Sequence, residues 1–168
     1  MSTRTLISVE EYLASSHEPD CDFVDGHIEE RNVGEWTHGT IQLRVGSYIL
    51  TRYEPQGIRV ITELRVQVKP TRFRIPDICV TVGDPGEEIL TKPPFLCIEI
   101  LSPEDRMSRI EQRIKDYLEM GVPYVWVVDP YTKQAYSATR AEGLREVTHG
   151  VLRTGNPAIE MPLSEIFR

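Results

Sequence analysis

The amino-acid sequence predicts a mixed α/β fold. Residues 93–102 (PPFLCIEILS) and 124–130 (YVWVVDP) have the pattern of two apolar strands, and a helical pattern lies between them. A strand, a helix and a strand in that order form a crossover, which joins parallel strands of one sheet. Residues 74–82 (RIPDICVTV) are also apolar on both faces, as in a central strand that is covered on both sides. The 168 residues can build one sizeable core, and we predict a single domain over residues 1–168.

The N-terminal part begins with a short helix and a hairpin. Ser8 and Glu11 have the spacing of a capping box, which places a helix start near residue 9. Two short strand-like runs then flank Asp25-Gly26 in the segment CDFVDGHIEE, and this dipeptide favours a type I′ turn. We therefore expect a helix and a two-stranded hairpin ahead of the main sheet.

A long helix and an alternating strand follow the hairpin. Between Gly34 and Tyr53 the apolar residues recur at helical spacing, and His38 lies on the same inward stripe in the first turn. Residues 58–70 (IRVITELRVQVKP) alternate between apolar and mostly polar positions. This alternation predicts one strand with a solvent-exposed face.

The crossover helix has boundary signals in the sequence. Ser102 is a candidate N-cap that is followed by a proline and two acids, which predicts a helix start at residues 102–105. Gly121 predicts the end of this helix directly after Met120. Beyond the strand at 124–130 the signals weaken to short strands and a small C-terminal helix around LSEIF.

Composition narrows the classes of function. The 19 basic and 26 acidic residues give a net charge of −7, which argues against a nucleic-acid binder held by bulk positive charge and leaves a local basic patch open. The three cysteines show no paired spacing, which favours a reducing compartment. No apolar run approaches a membrane span, so we expect a cytoplasmic protein with no membrane association. The sequence contains no P-loop, no GxSxG elbow and no Cys/His spacing typical of zinc sites.

Two acidic residues interrupt the apolar strands. Asp77 lies within residues 74–82 and Glu99 within residues 93–102. Burying an ionised carboxylate alone is so unfavourable that buried acids are normally paired or bound to a metal. If the two strands are neighbours, the carboxylates converge and repel one another.

Two explanations for these acids stay open on the residues alone. In the first, each acid pairs with an arginine, for which Arg72, Arg74 and Arg106 are candidates. In the second, both acids bind Mg²⁺, which takes one or two carboxylates together with waters and phosphate oxygens.

An ordered set of motifs resembles a known superfamily. The PDI of the first strand, the acid of IEIL, a helix and then GVPYVWVVDP are similar to the PD-(D/E)XK nucleases. The phrases EEYL, FVDGHIEE, TH at a helix start and IEILSPEDR extend the resemblance over most of the chain, towards a large bacterial family of restriction-endonuclease-like proteins. The resemblance implies a restriction-endonuclease-like core, in which a helix, three antiparallel strands, a crossover helix and a further strand follow the N-terminal helix and hairpin. It also implies a site for Mg²⁺ or Mn²⁺.

The resemblance assigns roles position by position. Asp77 and Glu99 match the motif acids and would bind the metal, with the carbonyl of Ile100 as a third ligand. The usual lysine of the superfamily, two residues after the second acid, is replaced here by Leu101. In the family, that lysine lies on the following helix, four residues before a tyrosine, where this chain has Arg113.

Three further side chains, Arg113, Lys115 and His38, complete the candidate catalytic set, and Asp22 is a candidate acid behind the metal ligands. Arg113 could stabilise charge on a phosphate, but a permanent cation is a poor proton acceptor. Lys115 is its neighbour, and helical geometry turns it further towards solvent. His38 could position water or contact phosphate, or it could simply belong to the helix start. Asp22 stands where the family often has a glutamate, and hairpin structure explains it equally well.

These observations together predict a metal-dependent endonuclease that acts on nucleic acid, with DNA as the expected partner and a homodimer as the expected assembly. The alternative is a catalytically degenerate relative that binds nucleic acid or protein, because the motif lysine is missing. We interpret Trp36 and Trp126 as core anchors rather than as surfaces that stack on bases.

Overall fold

The computed structural model describes residues 5–32 and 34–168. In chain order, its helices and strands are α1 (Val9–Ala14), β1 (Asp22–Val24), β2 (His27–Glu29), α2 (Trp36–Tyr53), β3 (Ile58–Thr62), β4 (Val66–Lys69), β5 (Arg72–Arg74), β6 (Ile78–Val82), β7 (Leu96–Ile100), α3 (Met107–Met120), β8 (Tyr124–Asp129), β9 (Gln134–Thr139), β10 (Gly143–Glu146), β11 (Val151–Arg153), β12 (Glu160–Pro162) and α4 (Leu163–Ile166).

A six-stranded mixed sheet in the order β10-β9-β8-β7-β6-β3 forms the centre of the fold. The strands β3, β6 and β7 are antiparallel neighbours, and β7 pairs in parallel with β8. The helix α3 connects these two parallel strands, as a crossover requires. The predicted α/β class and the predicted core order are therefore confirmed.

Two hydrophobic cores lie on opposite faces of this sheet. One core packs α2 and the C-terminal elements against Ile98, Ile100 and Trp126. The other packs α3 and β4 against Cys97 and the neighbouring strands. Because successive residues of a strand point to opposite faces, Glu99 of β7 points towards α3.

A second sheet, in the order β2-β1-β5-β4, lies beside the central one. The hairpin of β1 and β2 turns at Asp25 and Gly26, whose φ angles of 49° and 91° are the positive pair of a type I′ turn. At the preceding helix, Ser8 and Glu11 form the reciprocal capping box. The predictions for α1 and for the hairpin are therefore confirmed.

The chain passes directly from a strand of one sheet to a strand of the other at two points. The predicted single strand at 58–70 is wrong, because Glu63 has a φ of 53° and separates β3 in the central sheet from β4 in the second sheet. The predicted strand at 74–82 likewise starts only at Ile78, since Pro76 offers no N–H to a ladder. The two breaks meet where the backbone N–H of Glu63 donates to the carbonyl of Asp77 over 3.3 Å.

The helix α3 begins later than the sequence predicts. Residues 102–105 form a turn instead, in which the Asp105 carboxylate accepts from the N–H of Ser102 at 2.7 Å and the Asp105 N–H donates to the Ser102 carbonyl. Such local side-chain bonds compete with helix formation, so the first turn starts at Met107. The predicted end is confirmed, because Gly121 adopts a φ of 108°.

Two further observations concern the cysteines and the helices. Cys21, Cys79 and Cys97 are all free and buried. Within the described part of the chain, no helix combines the length and the apolar character that a membrane span needs.

Candidate active site

A cleft opens at the edge of the central sheet where β7 ends. Extending the register of β6 and β7, in which Ile78 pairs with Ile98, by one residue sets Asp77 opposite Glu99. Both acids line the cleft, and each is 4 % exposed. The lining also includes Arg31, Asn32, Gly34, His38, Glu63, Ile100, Ser102, Asp105, Arg109 and Arg113.

Asp77 is held by donors on both of its carboxylate oxygens. Its Oδ1 accepts from Nη2 of Arg31 at 2.8 Å and lies 3.3 Å from Nε2 of His38. Its Oδ2 accepts from the backbone N–H of Ile100 at 2.7 Å. Burial alone would raise the pKa of Asp77, but the hydrogen bond and charge of His38, with Arg31 and the Ile100 N–H, hold it below the ordinary value. Asp77 is therefore an ionised, bonded acid.

Glu99 has a different environment on its two oxygens. Its Oε1 accepts from the Tyr117 hydroxyl at 2.6 Å and from Nη2 and Nε of Arg113 at 2.9 and 3.1 Å. Its Oε2 makes no hydrogen bond with a described residue. Burial raises the pKa of Glu99 to about 7, with Arg113 lowering it and the charge of Asp77 raising it. Glu99 can therefore exchange a proton near neutral pH.

Arg113 is enclosed by acceptors. Besides Glu99, it donates through Nη1 to Oδ2 of Asp22 at 2.7 Å and through Nη2 to the carbonyl of Ile75 at 2.7 Å. The guanidinium lies in the same cleft as Asp77 and Glu99. Burial opposes its charge, but Asp22 and Glu99 keep its pKa well above the ordinary value. Arg113 is a fixed cation and not a proton acceptor.

A chain of alternating charges continues from Arg113 into the protein. Oδ2 of Asp22 also accepts from Arg74 at 3.1 Å, and Arg74 donates through Nε to Asp116 at 2.8 Å. We call Glu99, Arg113, Asp22, Arg74 and Asp116 the buried charge chain, since all five are at most 5 % exposed. Every cation in it lies between two acids, which is the arrangement that makes buried charge tolerable.

Of the two remaining candidates, His38 lies in the cleft and Lys115 lies outside it. His38 lies at the cleft in the first turn of α2. Burial lowers its pKa, but the hydrogen bond and the charge of Asp77 outweigh burial and hold the pKa above the ordinary value. The side chain of Lys115 is 64 % exposed and lies 3.8 Å from Glu119 on the solvent side of α3. The structure therefore does not bring Lys115 to the cleft, because it is two residues, or about 200°, away from Arg113 on the helix.

The arginine partners of the two acids are not the ones that proximity in sequence indicates. Arg72 and Arg74 pair with Asp116 and other acids, whereas Asp77 pairs with Arg31 and Glu99 with Arg113. Arg31 lies in the loop between β2 and α2. The sequence of this loop has no periodic pattern from which the role of Arg31 could be predicted. A signal for Asp116 did exist, since it lies three residues after Arg113 and so on the same side of α3.

The oxygen atoms of the cleft residues are chemically suited to bind a divalent cation. Carboxylate and carbonyl oxygens are the ligands that Mg²⁺ and Mn²⁺ prefer, and one or two carboxylates suffice when water and phosphate supply the rest. Glu99 Oε2 is free of described hydrogen-bond partners, and the repulsion from Asp77 that raises the pKa of Glu99 would be relieved by a cation. Among the described residues, no group of three or more His, Cys, Asp or Glu side chains is arranged to hold a metal. A bound ion would therefore depend on Asp77, Glu99 and the carbonyl of Ile100.

The fold is that of a nuclease-like α/β protein of the restriction-endonuclease-like class, with Asp77 and Glu99 at one edge of its central sheet. The chain belongs to the Uma2 family, which is described as "Putative restriction endonuclease" and matches residues 9–166. The family assignment that the motifs indicated is thereby confirmed.

One solved structure supports the same architecture. It is a protein from Anabaena variabilis described as a putative nuclease belonging to DUF820, with 23 % sequence identity and a TM-score of 0.84. The match covers 96 % of this chain and 97 % of that one. No match was found among curated proteins.

Proposed function

We propose that this chain is an endonuclease that hydrolyses phosphodiester bonds of DNA with Mg²⁺ or Mn²⁺ bound by Asp77, Glu99 and the carbonyl of Ile100. The observation that supports this most is the bond from the Ile100 N–H to Asp77 Oδ2. This bond joins Asp77 to the backbone of the residue that follows Glu99, so both carboxylates lie in one cleft. Membership of a family of restriction-endonuclease-like proteins points the same way.

The residues of the cleft divide the remaining work. When bound, the cation would lower the pKa of a coordinated water and offset charge on the phosphate. Arg113 keeps Glu99 in place through two hydrogen bonds and adds positive potential near the reacting phosphate. His38 holds a proton at Nε2 beside Asp77 and can donate it to a phosphate oxygen. Lys115 has no part in this proposal.

A second function is supported by a specific observation. Four hydrogen bonds tie up Arg113, and Arg31 occupies Oδ1 of Asp77, so both acids are already neutralised by protein cations. A member of the family that binds nucleic acid or protein without cutting would have this arrangement.

A cleavage assay separates the two functions. Supercoiled plasmid and single-stranded DNA are incubated with Mg²⁺ or Mn²⁺ and the wild type, Glu99→Gln or Glu142→Gln. Glu142 is an exposed residue before β10 and serves as the matched control. The nuclease requires nicking that Glu99→Gln abolishes and Glu142→Gln preserves, whereas DNA binding without nicking in all three proteins supports the second function.

We also propose a domain organisation, a location and an assembly for this chain. We expect residues 1–168 to act as one domain, which is supported by the sheet that both hydrophobic cores share. A cytoplasmic location is supported by the three free cysteines. A homodimer is expected from the resemblance to restriction endonucleases, and sedimentation of the purified protein tests it.

A further inference from the structure

An apolar stripe runs along the outward face of α2. Trp36, Leu43 and Leu50 are 89 %, 72 % and 38 % exposed, and they follow one another at intervals of seven residues. Seven residues fall only about 20° short of two helical turns, so the three side chains lie on one side of the helix. The prediction of Trp36 as a core anchor is therefore wrong, whereas Trp126 is fully buried as predicted.

The outward face of α3 has the opposite character. Its exposed positions include Glu111, Lys115 and Glu119, which is the charged outer side that a surface helix normally has. On α2 the exposed positions from residue 36 to residue 50 are Trp36, Gly39, Leu43, Ser47 and Leu50. None of them is charged. A helix that is apolar on both sides is normally covered on both sides.

Gly39 is a second and independent sign of a partner on this face. A Cβ at the other glycine of α2, Gly46, would touch Val60 and Ile78 at 3.9 and 4.0 Å, so Gly46 faces the central sheet. A Cβ at Gly39 would meet nothing within 4 Å among the described residues outside its own helix. Glycine is less favourable than alanine inside a helix, so internal packing does not account for Gly39. The close approach of another backbone would account for it.

The order of side chains along the stripe favours a second copy of the chain. From either end, the five exposed positions read bulky, small, bulky, small, bulky. If two such stripes pack antiparallel about a two-fold axis at Leu43, Trp36 lies opposite the partner's Leu50 and Gly39 lies opposite the partner's Ser47. A two-fold interface requires this kind of self-complementarity. The antiparallel arrangement also sets the positive end of each helix dipole beside the negative end of the other.

The area of the stripe is in the range that a dimer needs. From their exposed fractions, its three large side chains offer roughly 400 Å² per copy, or roughly 800 Å² for a pair. A specific interface buries about 1,000 Å² or more in total, so the stripe supplies most of the apolar area and its flanks need to add little.

The charge of the stripe also distinguishes between partners. Each copy carries −7, but the stripe has no exposed charge, so two copies repel only over a distance that salt screens. A nucleic acid would find no exposed cation for its phosphates between residues 36 and 50. A second copy therefore suits this face better than a polyanion does.

We infer that the outward face of α2 is the interface of a homodimer, in which the two α2 helices pack antiparallel about a two-fold axis at Leu43. This inference identifies the surface of the homodimer that the family resemblance leads us to expect, and it does not depend on the nuclease function. The cleft lies on the other side of the helix, where His38 contacts Asp77 and Gln42 donates to the Asp77 carbonyl at 2.9 Å.

The test measures self-association of the full chain. Sedimentation equilibrium at several protein concentrations gives the dissociation constants of the wild type, Trp36→Ala, Leu43→Glu and Gly39→Gln. The matched control is Met107→Glu, which adds the same charge at another exposed apolar position, the first residue of α3. Circular dichroism and thermal melting check that every variant is folded.

The wild type is expected to be a dimer that salt strengthens, because salt screens the repulsion between two chains of −7. Leu43→Glu raises the dissociation constant by at least about 100-fold, since two like charges then meet at the axis. Trp36→Ala raises it by about 30-fold or more, the loss of a central aromatic anchor. Gly39→Gln weakens the dimer although glutamine is the better helix former. Met107→Glu changes nothing.

A cross-link checks the position of the axis. In Leu43→Cys the two introduced thiols meet at the axis, so mild oxidation gives a covalent dimer. The native Cys21, Cys79 and Cys97 are buried and do not compete. The control Met107→Cys stays monomeric on a denaturing gel.

Several results overturn the inference. A wild type that is monomeric at every concentration, including one whose stripe binds only a different protein, refutes both this interface and the expected homodimer. A dimer that neither Leu43→Glu nor Trp36→Ala weakens, or equal cross-linking at positions 43 and 107, refutes the α2 interface alone. The cleavage assay is independent of these results. Cutting by a monomer refutes the dimer and not the nuclease, and a dimer that depends on Leu43 and does not cut refutes the nuclease alone.

Discussion

Replacing Glu99 by glutamine should change how stability depends on pH. The glutamine oxygen can still accept from Tyr117 and Arg113, so the substitution removes the ionisation and keeps the Oε1 contacts. In the folded protein the pKa of Glu99 is raised by burial from 4.5 to about 7. The native state therefore binds the proton more tightly than the unfolded chain does.

The direction and the size of the pH effect on stability follow from this difference in proton affinity. A raised carboxyl pKa contributes stability that is fully present below the unfolded pKa of 4.5 and is lost as the pH rises through about 7. The full difference corresponds to about 3 kcal/mol, of which about 2 to 3 kcal/mol falls between pH 5 and pH 8. Glu99→Gln does not lose this stability. The free energy of unfolding of the variant, relative to that of the wild type, therefore rises by about 2 to 3 kcal/mol from pH 5 to pH 8.

Urea unfolding in EDTA at several pH values measures the effect. His38 also titrates, with a raised pKa, but it is present in both proteins and cancels in the difference. Glu142→Gln is the control and should parallel the wild type. A difference between Glu99→Gln and the wild type that does not vary with pH, or that favours the wild type as the pH rises, would refute the assignment of a raised pKa to Glu99.

Three further predictions concern other parts of the structure. Asp77→Asn should lower the free energy of unfolding by about 3 to 5 kcal/mol at pH 7 in urea titrations without metal, since it leaves Arg31 without its buried partner; equal stability would contradict the ion pair. Asp116→Asn should cost a similar amount, about 3 to 5 kcal/mol, because Arg74 loses a buried partner, and a loss below that of exposed Glu142→Gln would contradict the charge chain. Gly121→Ala should cost about 1 to 2 kcal/mol in thermal melts, because its φ of 108° strains any side chain, and an unchanged melting temperature would exclude that strain.

Much of the fold could be predicted because its signals are local. The capping box of Ser8 and the turn at Asp25-Gly26 depend on neighbouring residues, and the crossover order depends on apolar runs within single strands. The break at Glu63 was missed because the alternation of apolar residues continues through it. That alternation records burial on a face and does not reveal that the face belongs to another sheet.

The site was predictable only in part for the same reason. Asp77 and Glu99 stand out because a charge interrupts an apolar run. Arg31 reaches Asp77 across 46 residues, and no local pattern encodes such a partner. The exposed position of Trp36 was also missed, since residue type alone favours burial and only tertiary packing decides that this side chain stays uncovered.

The buried charge chain has a consequence for the order of folding events. Its hydrogen bonds join residues that are far apart in sequence, 91 residues for Asp22 with Arg113 and 42 for Arg74 with Asp116. Contacts across such separations require the hairpin and α3 to be docked first, since loop closure must precede them. We expect the hydrogen bonds of the buried charge chain to form late, on the native side of the folding barrier. It then acts mainly on the rate at which the folded protein opens, and so on the lifetime of the folded state rather than on the speed of reaching it.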